Sequence, residues 1–222
     1  QTIWYATLDD VSYINRIFRD VAHIHNMLSL ENEADCEAYI KSNFPGCEVE
    51  LGDDIYRIKR KTSYDTFVTT TIDATSGLCW EVSCNSGNKF HLVMQPSSRG
   101  YTATFDTLYS GMQQGTATLD VEYEIVDNVD DNSDALEAVI MYDGEIVMVD
   151  KEASEKRPVT LTTEITKPIV YREFFGMVDG AMTITCVDEL YGTIDVVKAQ
   201  IFSEPSRVKL IYNNHEDVIY DI

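Results

Sequence analysis

The chain has 222 residues, of which 44% are hydrophobic and 25% are charged, and its formal net charge is −21. This composition is typical of a folded globular protein and argues against global disorder. The negative charge argues against wrapping of a nucleic-acid backbone and against a polybasic docking site on anionic lipid, and no apolar stretch approaches the length of a membrane span.

The first predicted element is a helix over Thr7–Ser29, with Thr7 as its N-cap and with Asp9 and Asp10 in its first turn. Apolar residues recur there at three- and four-residue steps and form one stripe. The residues of the stripe are Val11, Ile14, Ile17, Phe18, Val21, Ile24 and Leu28. A second, shorter helix is predicted over Glu31–Ser42.

After Gly46 the hydrophobic period changes from 3.6 to 2, which indicates strands. The first hairpin is predicted to have Asp53 and Asp54 as its loop residues, because this register places opposite charges across the strands. It pairs Leu51 with Tyr56, Val49 with Ile58, Glu50 with Arg57 and Glu48 with Lys59.

Further strands are predicted along the rest of the chain. They cover Asp65–Asp73, Leu78–Cys84, Lys89–Gln95, Tyr101–Thr107, Thr116–Asp127, Val159–Thr166, Ile169–Glu173, Ala181–Asp188, Thr193–Phe202, Arg207–Tyr212 and Asp217–Ile222. A hairpin over Ala138–Val149 is predicted to turn at Asp143-Gly144, the favoured two-residue loop. Both of its arms are apolar on both faces, so it should be covered on both sides or lie at an interface.

These elements predict a mostly β (α+β) fold. An N-terminal amphipathic helix or helix pair is followed by antiparallel β-sheets, with a sandwich-like arrangement in the C-terminal half. The weak stretch near residue 112 suggests two regions, 1–112 and 113–222, and the alternative is one continuous domain over 1–222.

Five cysteines are too few for a disulfide scaffold. Cys79 and Cys84 lie on opposite faces of a predicted strand and too far apart to bond. Cys36 and Cys47 are the best candidate pair, and free buried thiols are the alternative.

Histidines and carboxylates are the candidate metal ligands of the chain. His23 and His25 are two residues apart on a helix and cannot share an ion, so a zinc site is not expected. An acidic loop provides oxygen ligands suited to calcium. The candidate ligands are Asp127, Asp130, Asn132 and Asp134. The EF-hand pattern fails at Ala135 and Met141, so a solvated loop is the alternative.

The negative charge is uneven, and it leaves one basic island. Residues 1–111 contain 9 Lys and Arg and 15 Asp and Glu, against 8 and 23 in residues 112–222. This excess indicates a self-repelling surface or one that binds cations or basic partners. The island comprises Arg57, Lys59, Arg60 and Lys61. The island could bind an anionic glycan or lipid headgroup. Alternatively, Arg57 and Lys59 could form ion pairs with Glu50 and Glu48 across the hairpin.

Trp80 is a candidate sugar-binding platform. It shares a predicted strand face with Leu78 and Val82, so the alternative is a core position. No nucleophile elbow, P-loop or dinucleotide-binding glycine motif is present. We therefore expect no enzymatic activity, although a glycan hydrolase needs only two carboxylates in a cleft, which the sequence neither shows nor excludes.

The start at Gln1 leads into the predicted helix, and strands such as Asp65–Asp73 and Thr116–Asp127 are rich in Tyr, Thr and Asp. In these features the chain resembles secreted proteins and lipoproteins of gut Bacteroidetes. The resemblance implies export to the periplasm or outer surface, with lipid anchoring through a Cys upstream of Gln1 as one form of attachment.

The leading functional hypothesis is a non-enzymatic cell-surface or periplasmic binding module for a glycan, peptide or protein partner. It requires a concave aromatic or polar site. The alternative is a structural or adhesive subunit that self-associates through β-strand contacts of the hairpin Ala138–Val149, which requires an exposed apolar face or edge strand.

Overall fold

The computed structural model describes residues 2–111, 113–127, 134–150, 159–203, 206–213 and 215–221. Two helices, α1 (Thr2–Met27) and α2 (Glu33–Asn43), precede the strands, and the prediction of a mostly β fold with an N-terminal helix pair is confirmed. The strands are β1 (Cys47–Leu51), β2 (Ile55–Lys61), β3 (Phe67–Asp73), β4 (Trp80–Cys84), β5 (Phe90–Pro96), β6 (Tyr101–Ser110), β7 (Gln113–Asp127), β8 (Leu136–Asp150), β9 (Val159–Arg172), β10 (Gly176–Asp188), β11 (Thr193–Ser203), β12 (Ser206–Tyr212) and β13 (His215–Asp221).

All of these strands belong to one antiparallel sheet whose strand order follows the sequence from β1 to β13. The sheet is open, because β1 and β13 each pair with a single neighbour in the described part of the chain. Pairing continues across the predicted boundary near residue 112, where Ser110 lies opposite Gln113. The sandwich-like arrangement and the choice between two regions and one domain stay predictions.

Helix α1 packs most closely on the inner faces of β6–β9. Its apolar stripe from Val11 to Ile24 is at most 3% exposed, as predicted, whereas Leu28 lies beyond the helix and is 42% exposed. Several polar residues of α1 are buried as well, namely Thr7, Asp10, Asn15, Asp20 and His23. Asp9, Ser12 and Arg16 are exposed, so one side of the helix is open to solvent.

The predicted start of α1 is wrong. The helix begins at Thr2, so Thr7 is an interior residue and Asp9 and Asp10 lie beyond the first turn. A threonine is compatible with a cap and with a helix interior, and the residues before Thr7 continue the helical hydrogen bonding by more than one turn. None of the described helices is long and apolar enough to cross a membrane.

The β1–β2 hairpin has the predicted register, including Leu51 opposite Tyr56 and Glu50 opposite Arg57. Asp54 takes a left-handed φ of 62°, which aspartate tolerates in a tight loop. The ion pair differs from the predicted direct one, because Glu50 bonds diagonally to Lys59.

The predicted hairpin over Ala138–Val149 is wrong, because these residues lie inside the single long strand β8. A turn at Asp-Gly needs a left-handed backbone at both residues, but continuous pairing with β7 holds this segment extended. Gly144 has a φ of 132°, and a Cβ there would lie 2.2 Å from the carbonyl oxygen of Thr118. Both edges of β8 are paired with neighbours, so it cannot add a strand from another chain.

The two strands predicted over Val159–Thr166 and Ile169–Glu173 form the one strand β9. Pro168, which separates them in sequence, lies where the β9–β10 register shifts. Proline cannot donate to a ladder and is tolerated at such irregularities. All five cysteines are free thiols, including Cys36 and Cys47.

Candidate ligand-binding groove

A groove opens beside α1. It has a volume of about 290 Å³ and lies between the helix and the inner faces of β2–β5. It is lined by Tyr13, Arg16, Ile17, Asp20, Arg60, Lys61, Thr62, Val68, Thr70, Cys84, Asn88 and Phe90. We call this space the α1 groove.

The floor of the α1 groove is apolar and its mouth is cationic. Ile17, Cys84 and Phe90 are each only 3% exposed, so the groove reaches toward the core at these side chains. The exposed lining residues include Arg16 and Lys61. A ligand entering here would meet positive charge first and apolar surface further in.

Arg60 lies on the same face of β2 as the buried Tyr56 and Ile58 and therefore points toward α1. One of its amino groups donates to Asp20 at 2.7 Å, and Arg19 donates to the same carboxylate oxygen at 3.0 Å. Asp20 is thus neutralised by two guanidinium groups. The remaining N–H groups of Arg60 have no partner among the described residues, although the side chain is partly exposed.

Arg16 has no ion-pair partner within the described part of the chain. Its guanidinium lies 5.2 Å from the ring centre of Tyr13, a cation–π contact that orients it over the groove. The Tyr13 hydroxyl donates to the backbone oxygen of Asn88. Lys61 pairs with Asp65 at 2.9 Å, but both side chains are well exposed, so this pair contributes little and opens readily.

The structure divides the predicted basic island. Arg60 points into the α1 groove, whereas Arg57, Lys59 and Lys61 lie on the opposite face of β2, where Lys59 is bound to Glu50 and Lys61 borders the groove only at its mouth. Trp80 is 5% exposed, packs against His25 with the ring centres 5.4 Å apart near the C-terminal end of α1, and does not line the groove.

Arg60 and Lys61 belong to the predicted basic island, whereas Arg16 was not predicted. Arg16, Tyr13 and Asp20 lie on α1, where the only sequence feature that could have indicated a site is the set of polar residues that interrupt the amphipathic pattern. The grouping of Leu78 with Trp80 was wrong, because Leu78 precedes β4 and is 73% exposed.

A second cavity of about 540 Å³ adjoins the groove and shares Tyr13, Arg16 and Asn88 with it. It is lined on the other side by carboxylates, namely Asp9, Asp10 and Asp150. Burial raises the pKa of Asp10 to about 7, against a hydrogen bond from Ser110 that lowers it, and the nearby charge of Asp9 raises it further. Asp10 is therefore a carboxyl group that holds its proton near neutral pH.

A buried polar network fixes the C-terminal half of α1. His23, which is fully buried, contacts the Tyr39 hydroxyl at 2.8 Å and the Glu173 carboxylate at 2.7 Å. Glu173 also accepts from the backbone N–H of Ala138 at 3.1 Å. These bonds join α1 to α2 and to the β9–β10 turn.

Within the described residues, no group of three or more His, Cys, Asp or Glu side chains is placed to hold a metal ion. Of the predicted calcium ligands, Asp130 and Asn132 lie outside the described residues, and Asp127 and Asp134 are exposed. Calcium binding at this loop stays a prediction.

Comparisons with protein-family models, with curated proteins and with solved structures found no match. The functional interpretation therefore depends on the geometry and charge of the α1 groove.

Proposed function

We propose that the protein is a non-enzymatic binding module of the cell surface or periplasm, and that its α1 groove takes an anionic group carried by a glycan, peptide or protein partner. The observation that carries the proposal is the concentration of Arg16, Arg60 and Lys61 around one groove in a chain with a net charge of −21. The surface location in this proposal rests on the resemblance to secreted proteins and lipoproteins.

The charge balance inside the groove supports an anionic ligand. Three cations line it, and the single lining carboxylate, Asp20, is already bound by Arg19 and Arg60. Guanidinium groups form strong, directional bonds with carboxylates and phosphates. A ligand anion can therefore bind to Arg16 and to the unused donors of Arg60 without displacing Asp20.

The proposal is tested by titrating the full chain with glucuronate and with inorganic phosphate in a calorimeter. Changing Arg16 and Lys61 together to Gln should weaken the binding of glucuronate or phosphate by about 10-fold or more, since each charge-assisted bond contributes about 1.5–3 kcal/mol. Neither side chain supports the core, so the melting temperature should hardly change.

The matched control is Arg99→Gln. Arg99 is an exposed arginine paired with Asp143 and does not line the α1 groove. Equal losses in the control and in the double variant, or no loss in either, would contradict binding in the groove.

A glycan hydrolase is the second candidate, and the cavity beside the groove favours it. Asp10, protonated near neutral pH, could act as a general acid, and Asp9 or Asp150 could serve as the second carboxylate. A screen with nitrophenyl glycosides tests this function. Hydrolysis that disappears in Asp10→Asn would establish it, and no turnover of any glycoside would remove it.

A further inference from the structure

The walls of the α1 groove differ from the walls of a site for a fully hydrated anion. Below the cations lie the nearly buried side chains of Ile17, Cys84 and Phe90, with the half-buried Val68 beside them. Apolar walls disfavour a groove filled with water and favour an apolar ligand group. The ligand should therefore carry its charge at one end and an apolar body at the other.

We propose, on the basis of the proposed anion-binding function, that the α1 groove binds a carboxylate attached to a single apolar group, the chemistry of a peptide C-terminus that ends in an apolar residue. The carboxylate meets the unused N–H groups of Arg60 together with Arg16, and the terminal side chain lies on Ile17, Val68 and Phe90.

The guanidinium group of Arg60 is held in an orientation in which it can bind a carboxylate. Its bond to the buried Asp20 fixes the guanidinium plane, so a second carboxylate finds a preorganised pair of donors instead of a mobile side chain. Arg16 closes over the site from the opposite wall, where its contact with Tyr13 holds it.

The size of the groove limits the ligand. A volume of about 290 Å³ lies near the lower end of the range for small-molecule sites, which begins at about 300 Å³. It accommodates one terminal residue, and a longer peptide would leave the groove toward the solvent. An oligosaccharide would expose hydroxyl groups to the apolar floor, where Cys84 already bonds to the Ser86 carbonyl oxygen at 3.1 Å.

The test is a calorimetric titration of the full chain with N-acetylglycine, N-acetylalanine, N-acetylleucine, N-acetylleucine amide and glucuronate. We expect N-acetylleucine to bind about 10- to 100-fold more tightly than N-acetylglycine, which is the gain from burying a leucine side chain. The amide should bind at least 10-fold more weakly than the acid, because it lacks the charge. Methyl signals of Ile17 and Val68 should shift on addition of N-acetylleucine, and those of the exposed Ile194 should not.

The outcomes separate the two proposals. If N-acetylglycine or glucuronate binds as tightly as N-acetylleucine, the peptide C-terminus is overturned and anion binding stands. If the amide binds as tightly as the acid, the charge is not recognised and both proposals are overturned. If no carboxylic acid binds, the peptide C-terminus is overturned, and anion binding stands only if inorganic phosphate binds. Val68→Thr, a change of similar volume, should reduce the preference for leucine over glycine several-fold and leave the affinity for N-acetylglycine unchanged.

Discussion

At the scale of single residues, the protein places polar side chains where helices usually bury apolar ones. Asp10, Asn15, Asp20 and His23 all lie on α1 and are at most 4% exposed. Each has a defined role, as Asn15 accepts from the Tyr142 hydroxyl at 2.8 Å and Asp20 holds Arg60. Buried polar groups of this kind are stable only when partnered, and here they also determine what lines the cavities.

Asp10 gives a prediction for pH dependence. The pKa of Asp10 is about 7 in the folded protein, above the usual 3.8. Between pH 3.8 and pH 7 the folded state therefore holds a proton that the unfolded state has lost. The free energy of unfolding should therefore fall as the pH rises from about 4 to about 7. Asp10→Asn stays neutral, so above pH 7 it should be more stable than the wild type by on the order of a few kcal/mol.

Urea unfolding of both proteins at pH 4.5 and pH 8 measures this difference. Asp53→Asn, in the exposed β1–β2 loop, is the control and should change little at either pH. A stability gain of Asp10→Asn that is the same at both pH values would contradict the buried, protonated state of Asp10.

At the scale of elements, the sequence predicted strands well and connections less well. The β1–β2 register was predictable because it depends on cross-strand charges that lie close together in the chain. The turn at Asp143-Gly144 was wrong because local turn preference was outweighed by pairing with β7 and β9, which are distant in sequence. The α1 groove was predictable only in part. It forms between α1 and strands β2–β5, and no local sequence pattern indicates how these elements are placed relative to each other.

Gly144→Ala tests whether these residues lie in a strand. A Cβ at Gly144 would clash with the Thr118 carbonyl oxygen, so we expect a loss of more than about 2 kcal/mol of unfolding free energy. Gly111→Ala, in a turn with a φ of 58° and open space around it, should cost only about 1 kcal/mol. Losses of equal size at the two glycines, measured by urea unfolding, would argue for a turn at Gly144.

The network between α1, α2 and the β9–β10 turn gives a second test at this scale. His23→Leu fills a similar volume but removes one partner each from the Tyr39 hydroxyl and the Glu173 carboxylate, so it should cost about 3 kcal/mol. Lys167→Met, which breaks the exposed pair with Asp179, should cost less than about 1 kcal/mol. Comparable losses in thermal or urea unfolding would mean that the network does not fix the helix.

At the scale of the whole molecule, one meandering sheet packs around α1, and within the described residues β1 and β13 are its edge strands. A structural or adhesive subunit that joins through its strands would have to use these edges, because β8 is paired with a neighbour on both sides. Glu48 and Glu50 lie on β1, and the β13 segment contains Glu216, Asp217 and Asp221. Pairing of one edge with the other would therefore bring like charges together.

This arrangement predicts a monomer. Light scattering should give a mass near 25.2 kDa at low ionic strength over a wide range of protein concentration. Any association should increase with added salt, which screens the acidic edges. A stable dimer or polymer at low salt would favour the structural or adhesive function over the binding module.

The central claim is that an anion binds between α1 and strands β2–β5. A crystal structure of the protein soaked with N-acetylselenomethionine tests it most directly, because the anomalous signal of selenium locates the apolar end of the probe. We predict the carboxylate within hydrogen-bond distance of Arg60 and the selenium beside Phe90. A probe bound elsewhere, or an empty groove at a probe concentration that saturates the protein in solution, would contradict the claim.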